Sequence, residues 1–235
     1  MARSAAAVSV RPSAAMPRPI PTAMSLPPLD PDGHLYVFAY GSLMWRPGFA
    51  HLSAHPALLR GFHRRFCLWS HRYRGTPEAP GLVLGLDRGG ACRGLAYRVR
   101  GAEAVEVLAY LDDRELPDGA EIVYHRRLLP VRLLDSGRCV QAVAYVANRG
   151  CRLYCGRLSP EAAAAAIARG RGQMGTNREY LLNTLAHLES LGVRDAGLDR
   201  IAALIRTPDG TGVVGGGARG AADDGLPVAA APESR

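Results

Sequence analysis

The feature that most constrains the fold is a short apolar segment, residues 36–45, which reads YVFAYGSLMW. Its first half is aromatic and apolar with no breaker, which is typical of a buried strand. Its second half contains Gly41 and Ser42, where the backbone can turn sharply and expose its amide groups. A strand followed by such a turn can direct N–H groups at an anion. The same residues also fit a buried strand with an ordinary turn, and the segment alone does not decide between the two.

The length and composition fit one domain with a sizeable hydrophobic core. The chain has 235 residues, of which 48% are hydrophobic, and it contains no apolar run of about 18 residues that could span a membrane. The formal net charge is +8, and all 29 basic residues are arginine. The absence of lysine is more typical of a GC-rich genome than of a basic binding surface. Since no basic helix or basic stripe interleaved with aromatics is present, we predict neither nucleic acid nor a membrane as a partner.

The densest group of arginines allows a second interpretation of the charge. These residues follow one another within a short stretch and would suit a positive rim around a small anionic substrate. The group consists of Arg60, Arg64, Arg65, Arg72 and Arg74.

The cysteines and histidines predict neither a disulfide framework nor a metal centre. The five cysteines are odd in number and show no paired spacing, which favours a reducing compartment. No Cys-x-x-Cys pair is present, so a structural zinc site is not expected. His51 and His55 lie four residues apart, but Pro47, Gly48 and Pro56 crowd that segment, and we interpret both histidines as loop residues.

The composition divides the chain into three regions. Residues 1–33 are rich in Ala, Pro and Ser and lack the apolar segment of a secretory signal, so we predict a disordered N-terminal extension. Residues 207–235 are rich in Gly and Ala, and we predict a disordered C-terminal tail. The folded domain is then expected over residues 34–206.

Strands dominate the first part of this domain and helices the last part. Alternation and turn residues predict strands at residues 57–69 with a break at Gly61, at 82–86 and 91–99 joined by a hairpin turn at 87–90, and at 122–134 and 138–147. Helical periodicity predicts helices at residues 101–115, 159–168, 176–191 and 195–205. This order favours an α+β fold with a mostly antiparallel sheet, curled or closed.

One carboxylate occupies an unusual place in this pattern. Val105, Leu108, Leu111 and Glu115 fall on one stripe of the first helix, so Glu115 continues an otherwise apolar face. An apolar face and a helix C-terminus both disfavour the charged form of a carboxyl group, which raises its pKa and suits a general base. The alternative is a surface glutamate paired with Arg114 or another nearby arginine.

Several motifs now occur in one order, and together they resemble the ChaC family of γ-glutamylcyclotransferases, which act on glutathione. The resemblance covers nearly all of residues 35–192, and its fold implication is a small mixed β-barrel flanked by helices. The motifs are YGSLMWRP at 40–47, GFHRRF at 61–66, RGTP at 74–77, PGLV at 80–83, YLDDRE at 110–115, AYVA at 144–147 and GTNREYL at 175–181.

The resemblance also implies roles for particular residues. It implies that backbone amides around Gly41, Ser42 and Leu43 hold the γ-glutamyl end of the substrate, and that Glu115 is the catalytic carboxylate. By the same resemblance, Tyr40 and Tyr145 line the pocket, and the loop of Arg74 closes over the substrate and shapes selectivity. One departure stands out: many family members carry a Gly-Gly-Tyr-like turn after Arg-Glu, whereas this chain has LPDGA at residues 116–120, so turnover or peptide preference is expected to differ.

The implied reaction converts glutathione into 5-oxoproline and Cys-Gly by attack of the glutamyl α-amine on its own γ-carbonyl. It requires no cofactor, no metal and no macromolecular partner, and we expect a cytoplasmic monomer. Two alternatives belong to other classes of protein. A hydrolase would use Ser42 as nucleophile, but the Gly-x-Ser-x-Gly elbow is absent. A binding module for γ-glutamyl compounds, or a cyclotransferase for other γ-glutamyl amines, would share the same turn.

Overall fold

The computed structural model describes residues 26–115 and 122–206. The predicted C-terminal tail, most of the predicted N-terminal extension and the LPDGA segment lie outside the described residues. The end of the extension does contact the domain: Leu29 packs against the core, and Asp30 lies 3.6 Å from Arg98. Contacts with the domain therefore begin before residue 34. None of the helices within the described ranges is long and apolar enough to cross a membrane.

Five strands form a closed barrel in the order β1-β3-β2-β4-β5. All neighbouring strands are antiparallel except β1 and β5, which pair in parallel at Tyr36 with Ala142 and at Val37 with Val143. The expected mixed barrel and the α+β class are thus confirmed. The strands are β1 His34–Ala39, β2 Ser53–Ser70, β3 Gly81–Arg100, β4 Tyr124–Leu133 and β5 Cys139–Ala147.

The hairpin predicted at residues 87–90 is wrong, because β3 continues through it. Strand β2 pairs with β3 on both sides of this position, from Ser53 with Arg98 to Ser70 with Gly81. Gly89 and Gly90 have φ of +98° and +68°, which turn the backbone locally without reversing it. Gly61 lies opposite, with φ of +83° and a shift of register, so β2 has a bulge at the predicted break but continues through it. The two strands bend together as one ribbon.

Four α-helices lie within the described residues, close to their predicted positions. Ser159 caps α2 by accepting a hydrogen bond from the Ala162 amide at 3.1 Å. Thr176 caps α3 with a reciprocal capping box to Glu179, the arrangement that its sequence favours. The helices are α1 Ala104–Glu115, α2 Pro160–Arg169, α3 Asn177–Ser190 and α4 Ala196–Arg206, and a short sheet of β6 Arg171–Gly172 and β7 Gly175–Thr176 precedes α3.

The buried face of α1 differs slightly from the predicted stripe. Leu108 and Leu111 are buried as expected, but Val105 is 67% exposed and Val107 takes its place. The helix starts after a single 3₁₀ turn at Gly101–Glu103. Glu115, at the other end of α1, keeps its predicted position beside the core.

Candidate active site

The end of β1 and the short 3₁₀ helix Ser42–Met44 form a tightly held turn, which we call the Gly41 turn (residues 40–45). The Tyr97 hydroxyl contacts two of its carbonyls, those of Leu43 at 3.0 Å and Met44 at 2.9 Å. The amides of Gly41, Ser42 and Leu43 donate no hydrogen bond to any other described residue. Three unpaired N–H groups in a fixed turn can bind an oxyanion.

Glu115 ends α1 with a side chain that is 19% exposed. Burial raises the pKa of its carboxyl group above the usual value, and the charge of Arg114 opposes that shift. The Arg114 Nε atom lies 3.4 Å from Glu115 Oε1, and the carboxylate has no other ion pair or hydrogen bond within the described residues. The alternative was a surface glutamate paired with Arg114. The contact with Arg114 exists, but the carboxyl group is largely buried, so the surface location is wrong.

Four tyrosines lie near this carboxylate. Burial is the main cause of a raised pKa at each phenol, and the charge of Glu115 adds to it in all four, which places the carboxylate close to the whole group. The pKa of Tyr180 is raised to about 12. These phenols are therefore neutral hydrogen-bond donors at physiological pH. The tyrosine cluster consists of Tyr40, Tyr124, Tyr145 and Tyr180.

The tyrosine cluster also contacts the Gly41 turn. A Cβ atom added at Gly41 would lie 3.8 Å from the Tyr180 hydroxyl oxygen, and Tyr40 is itself the first residue of the turn. The Tyr124 hydroxyl is fixed by donating to the Leu84 carbonyl at 2.7 Å. The unpaired amides, the buried carboxylate and the phenols thus belong to one site.

Tyr145 is held by a carboxylate of its own. Its hydroxyl donates to Asp112 Oδ1 at 2.6 Å, and Arg126 Nη1 donates to Asp112 Oδ2 at 2.6 Å. Tyr145 lies in the part of β5 where every residue from Ala142 to Ala147 is buried. Its ring therefore lies at the site with the hydroxyl oriented by Asp112.

Arg74 lies at the site, but its guanidinium group binds the protein. It donates to the carbonyls of Met174 and Thr176, the latter at 3.2 Å, and lies 5.0 Å from the centre of the Tyr180 ring. Arg74 thus ties the loop between β2 and β3 to the start of α3, beside Tyr180. Whether that loop closes over a substrate stays a prediction.

The other arginines of the predicted positive rim have separate partners. Arg64 is buried and donates to the Tyr40 carbonyl, whereas Arg65 lies 3.4 Å from Asp87. Arg72 donates to Gln173. They do not converge on the Glu115 site as one cationic surface.

Ser42 does not have the surroundings of a nucleophile. Its hydroxyl accepts a hydrogen bond from Arg114 Nη2 at 2.8 Å, and no histidine bonds to it in the part of the chain that the structure describes. A cationic donor does not remove the hydroxyl proton, which a serine nucleophile requires.

No group of three or more metal-ligating side chains occurs among the described residues. His55, one of the two loop histidines, bonds to Asp135 Oδ2 at 2.6 Å and to the Ser53 hydroxyl at 2.7 Å. It lies in β2 rather than in a loop, so that part of the sequence interpretation is corrected.

Sequence reasoning missed three residues that complete the site. Tyr180 lies inside the GTNREYL motif, which offered a signal for it. Asp112 lies inside YLDDRE, next to the residues that were singled out. Tyr124 has no local signal, because only the closure of the barrel brings the start of β4 beside the end of α1.

Comparison with solved structures defines the class of fold. A crystal structure of a γ-glutamyl cyclotransferase specific to glutathione from yeast superposes with a TM-score of 0.66 at 23% identity, covering 74% of this chain and 96% of that one. The fold is therefore that of the γ-glutamyl cyclotransferases.

Sequence comparison then gives the family. The model of the ChaC-like proteins matches residues 35–208, and the chain belongs to this family. A glutathione-specific γ-glutamylcyclotransferase of Escherichia coli is 34% identical over 168 residues, 72% of this chain and 71% of that protein. A glutathione-specific γ-glutamylcyclotransferase 1 of Homo sapiens is 34% identical over 199 residues, 82% of this chain and 86% of that protein.

Proposed function

We propose that the protein is a γ-glutamylcyclotransferase that cleaves glutathione into 5-oxoproline and Cys-Gly. The observation that carries the proposal is the buried carboxylate of Glu115, with its raised pKa, in one site with the unpaired amides of the Gly41 turn. The names of the relatives from Escherichia coli and Homo sapiens support the same substrate.

The reaction is an intramolecular aminolysis. The glutamyl α-amine attacks its own γ-carbonyl, a C–N bond forms to close the five-membered lactam, and the bond to the cysteine nitrogen breaks. The amine must lose a proton and the leaving nitrogen must gain one. In this proposal Glu115 accepts the first proton and donates it to the leaving nitrogen, a form of general acid–base catalysis that contributes about 10²–10⁴-fold.

Binding must also fold the flexible glutamyl chain so that amine and carbonyl meet. Well-oriented intramolecular reactions reach effective molarities of roughly 10⁵–10⁸ M. The amides of Gly41, Ser42 and Leu43 would hold the substrate α-carboxylate and so fix the neighbouring amine. A neutral phenol of the tyrosine cluster would donate a hydrogen bond to the oxyanion that develops on the γ-carbonyl.

A binding module for γ-glutamyl compounds is a weaker explanation of the same site. A binder would need this carboxylate ionised to pair with the substrate α-ammonium, whereas burial raises its pKa and favours the exchange of a proton. A cyclotransferase needs that carboxylate for both proton transfers.

We also propose that the enzyme acts in the cytoplasm and as a monomer, through a domain spanning residues 34–206. All five cysteines are free thiols, as in a reducing compartment.

The test is to incubate the purified protein with reduced glutathione and to quantify 5-oxoproline, glutamate and Cys-Gly. Equal amounts of 5-oxoproline and Cys-Gly, with no glutamate, are expected. Glutamate in place of 5-oxoproline would indicate hydrolysis and overturn the mechanism. If glutathione is untouched while another γ-glutamyl amine is cyclised, the chemistry stands but the substrate does not. If no γ-glutamyl compound reacts, the binding module becomes the better explanation.

A further inference from the structure

Arg64 is a buried cation whose shorter hydrogen bonds are to two backbone carbonyls rather than to a carboxylate. Its side chain is 3% exposed. Its Nε donates to the Tyr40 carbonyl at 2.5 Å and its Nη2 to the Arg93 carbonyl at 2.7 Å, while Asp195 Oδ2 lies farther away, at 3.3 Å from Nη1. Burying a charge is costly unless its hydrogen bonds are satisfied. The guanidinium fork satisfies them with fixed geometry, so the two carbonyls are fixed as well.

The Tyr40 carbonyl belongs to the peptide group that supplies the Gly41 amide. A trans peptide is planar, and its C=O and N–H bonds point in opposite directions. A donor that fixes the carbonyl on one side therefore fixes the direction of the N–H on the other. Gly41 has φ of −131° and ψ of −136° and no Cβ to restrict rotation of this peptide.

The charge of Arg64 also acts through the same peptide. A cationic donor on a carbonyl polarises the amide, which strengthens its N–H as a donor, since chains of hydrogen bonds are cooperative. The Gly41 amide has no acceptor among the described residues, so the strengthened donor is free for an anion.

We propose that Arg64 is a positioning residue for the substrate α-carboxylate, acting through the Tyr40–Gly41 peptide. It contacts the carbonyl of that peptide and leaves the N–H to bind the carboxylate. This inference rests on the proposed function. Asp195 helps to hold Arg64 in place, because it pairs with Arg64 through Oδ2. The same side chain is itself fixed at the start of α4, where Oδ1 accepts a hydrogen bond from the Leu198 amide at 3.2 Å.

The first test compares Arg64→Lys with the matched control Arg65→Lys. Arg65 is the next residue of β2 and pairs with Asp87, away from the turn. A lysine at position 64 keeps the charge but cannot reach two carbonyls as a fork. We expect KM for glutathione to rise about tenfold or more, because binding of the α-carboxylate weakens, and kcat to fall as well, because the amine is held less firmly against the γ-carbonyl. Both constants should stay within about threefold for Arg65→Lys.

The second test asks whether the loss is at the α-carboxylate. The peptide 4-aminobutyryl-Cys-Gly lacks that carboxylate but retains the amine that closes the ring, giving 2-pyrrolidinone. In the wild type, deleting the carboxylate should lower kcat/KM strongly. In Arg64→Lys the same deletion should cost about tenfold less, because the two changes remove one interaction. A purely structural role would leave the cost of the deletion equal in both proteins.

A third test applies if Arg64→Lys does not fold. A cavity of about 470 Å³ lies beside Arg64 and is also lined by Arg93 and Asp195, so small cations have a route to this position. Asp195→Asn should then raise KM about twofold to fivefold, since the pair with Arg64 loses its charge. In Arg64→Ala, millimolar guanidinium chloride should lower KM, and sodium chloride at the same ionic strength should not.

The outcomes separate the two proposals. Wild-type protein that forms no 5-oxoproline overturns the proposed function and this inference with it. Wild-type protein that is active, with an unchanged KM and an unchanged cost of the carboxylate deletion in folded Arg64→Lys, overturns this inference alone. If Arg64→Lys does not fold, an unchanged KM in Asp195→Asn together with no guanidinium rescue does the same.

Discussion

Asp112 and Glu115 lie one helical turn apart at the end of α1, but their carboxylates have opposite surroundings. Each oxygen of Asp112 accepts a hydrogen bond at 2.6 Å, one from Tyr145 and one from Arg126. Glu115 has a single contact, with Arg114 at 3.4 Å, and burial raises its pKa. A carboxylate with both oxygens bonded is held in place, whereas one without hydrogen-bonding partners can exchange a proton. The difference separates a structural group from a reactive one on the same helix.

Replacing Glu115 should have the strongest consequence for activity. Glu115→Gln keeps the size of the side chain and removes its ability to accept a proton. We expect kcat to fall by about 10²–10⁴-fold while the far-UV circular dichroism spectrum stays unchanged. Asp112→Asn is the matched control and should retain kcat within about tenfold. Comparable losses in both variants would show that the two carboxylates are not distinct.

Replacing Asp112 should lower the free energy of unfolding more than replacing Glu115 does. Asp112→Asn removes the charge that compensates Arg126, whose side chain is only 8% exposed. Because a hydrogen bond to a charged group is lost, we expect unfolding in urea to show a loss of about 1–3 kcal/mol. Glu115→Gln should lose less than that. A Glu115 variant that is the less stable of the two would contradict the assignment of roles.

A weaker effect on activity is expected when the residue that lowers the pKa of Glu115 is replaced. Arg114 lowers the pKa of this carboxyl group against the larger effect of burial, so Arg114→Gln should raise it further. The acid limb of kcat/KM, which reports the free enzyme, should move to higher pH, with less than about fivefold loss of activity at pH 6. Ser42→Ala is the control, because it removes another partner of Arg114 and leaves the contact with Glu115. An acid limb that does not move would mean that another group controls it.

The smallest effect is the pH dependence of stability. The pKa of Glu115 is higher in the folded chain than its ordinary value of 4.5, so the folded state binds this proton more tightly. The contribution of Glu115 to stability is therefore complete below the unfolded pKa and is lost as the pH rises through the folded pKa. Melting curves of Glu115→Gln and wild type should differ more at pH 8 than at pH 5, with the variant equal or higher at pH 8, by no more than about 4 °C. A variant that melts lower at pH 8 would contradict the burial argument.

Local signals predicted most of the elements of this fold. The caps Ser159 and Thr176 determine where their helices begin through contacts within one turn. Such helix starts can therefore be predicted from the local sequence. The turn signal at residues 87–90 was misleading, because glycines with positive φ occur both where a strand bends and where the chain reverses in a hairpin. Only the pairing with β2, which is set by distant residues, decides between the two.

The site could be predicted where its residues have a local pattern. Periodicity along α1 located Glu115 beside the core, even though Val105 in the same stripe is exposed. Tyr124 and Arg64 could not be assigned in this way, because their places at the site depend on which strands become neighbours in the barrel. The sequence also showed the charge of Arg74 but not that its donors are occupied by Met174 and Thr176.

The parallel pairing of β1 with β5 determines when the site can exist during synthesis. β1 carries the Gly41 turn, yet its partner residues Ala142 and Val143 lie about a hundred residues further along the chain, and contacts at such separation form slowly. A nascent chain on the ribosome has therefore already made Tyr40 and Gly41 long before the barrel can close around them. Chains that terminate before β5 would leave β1 as an open edge, prone to pair with other strands. Such chains would also lack the complete binding site for a γ-glutamyl group.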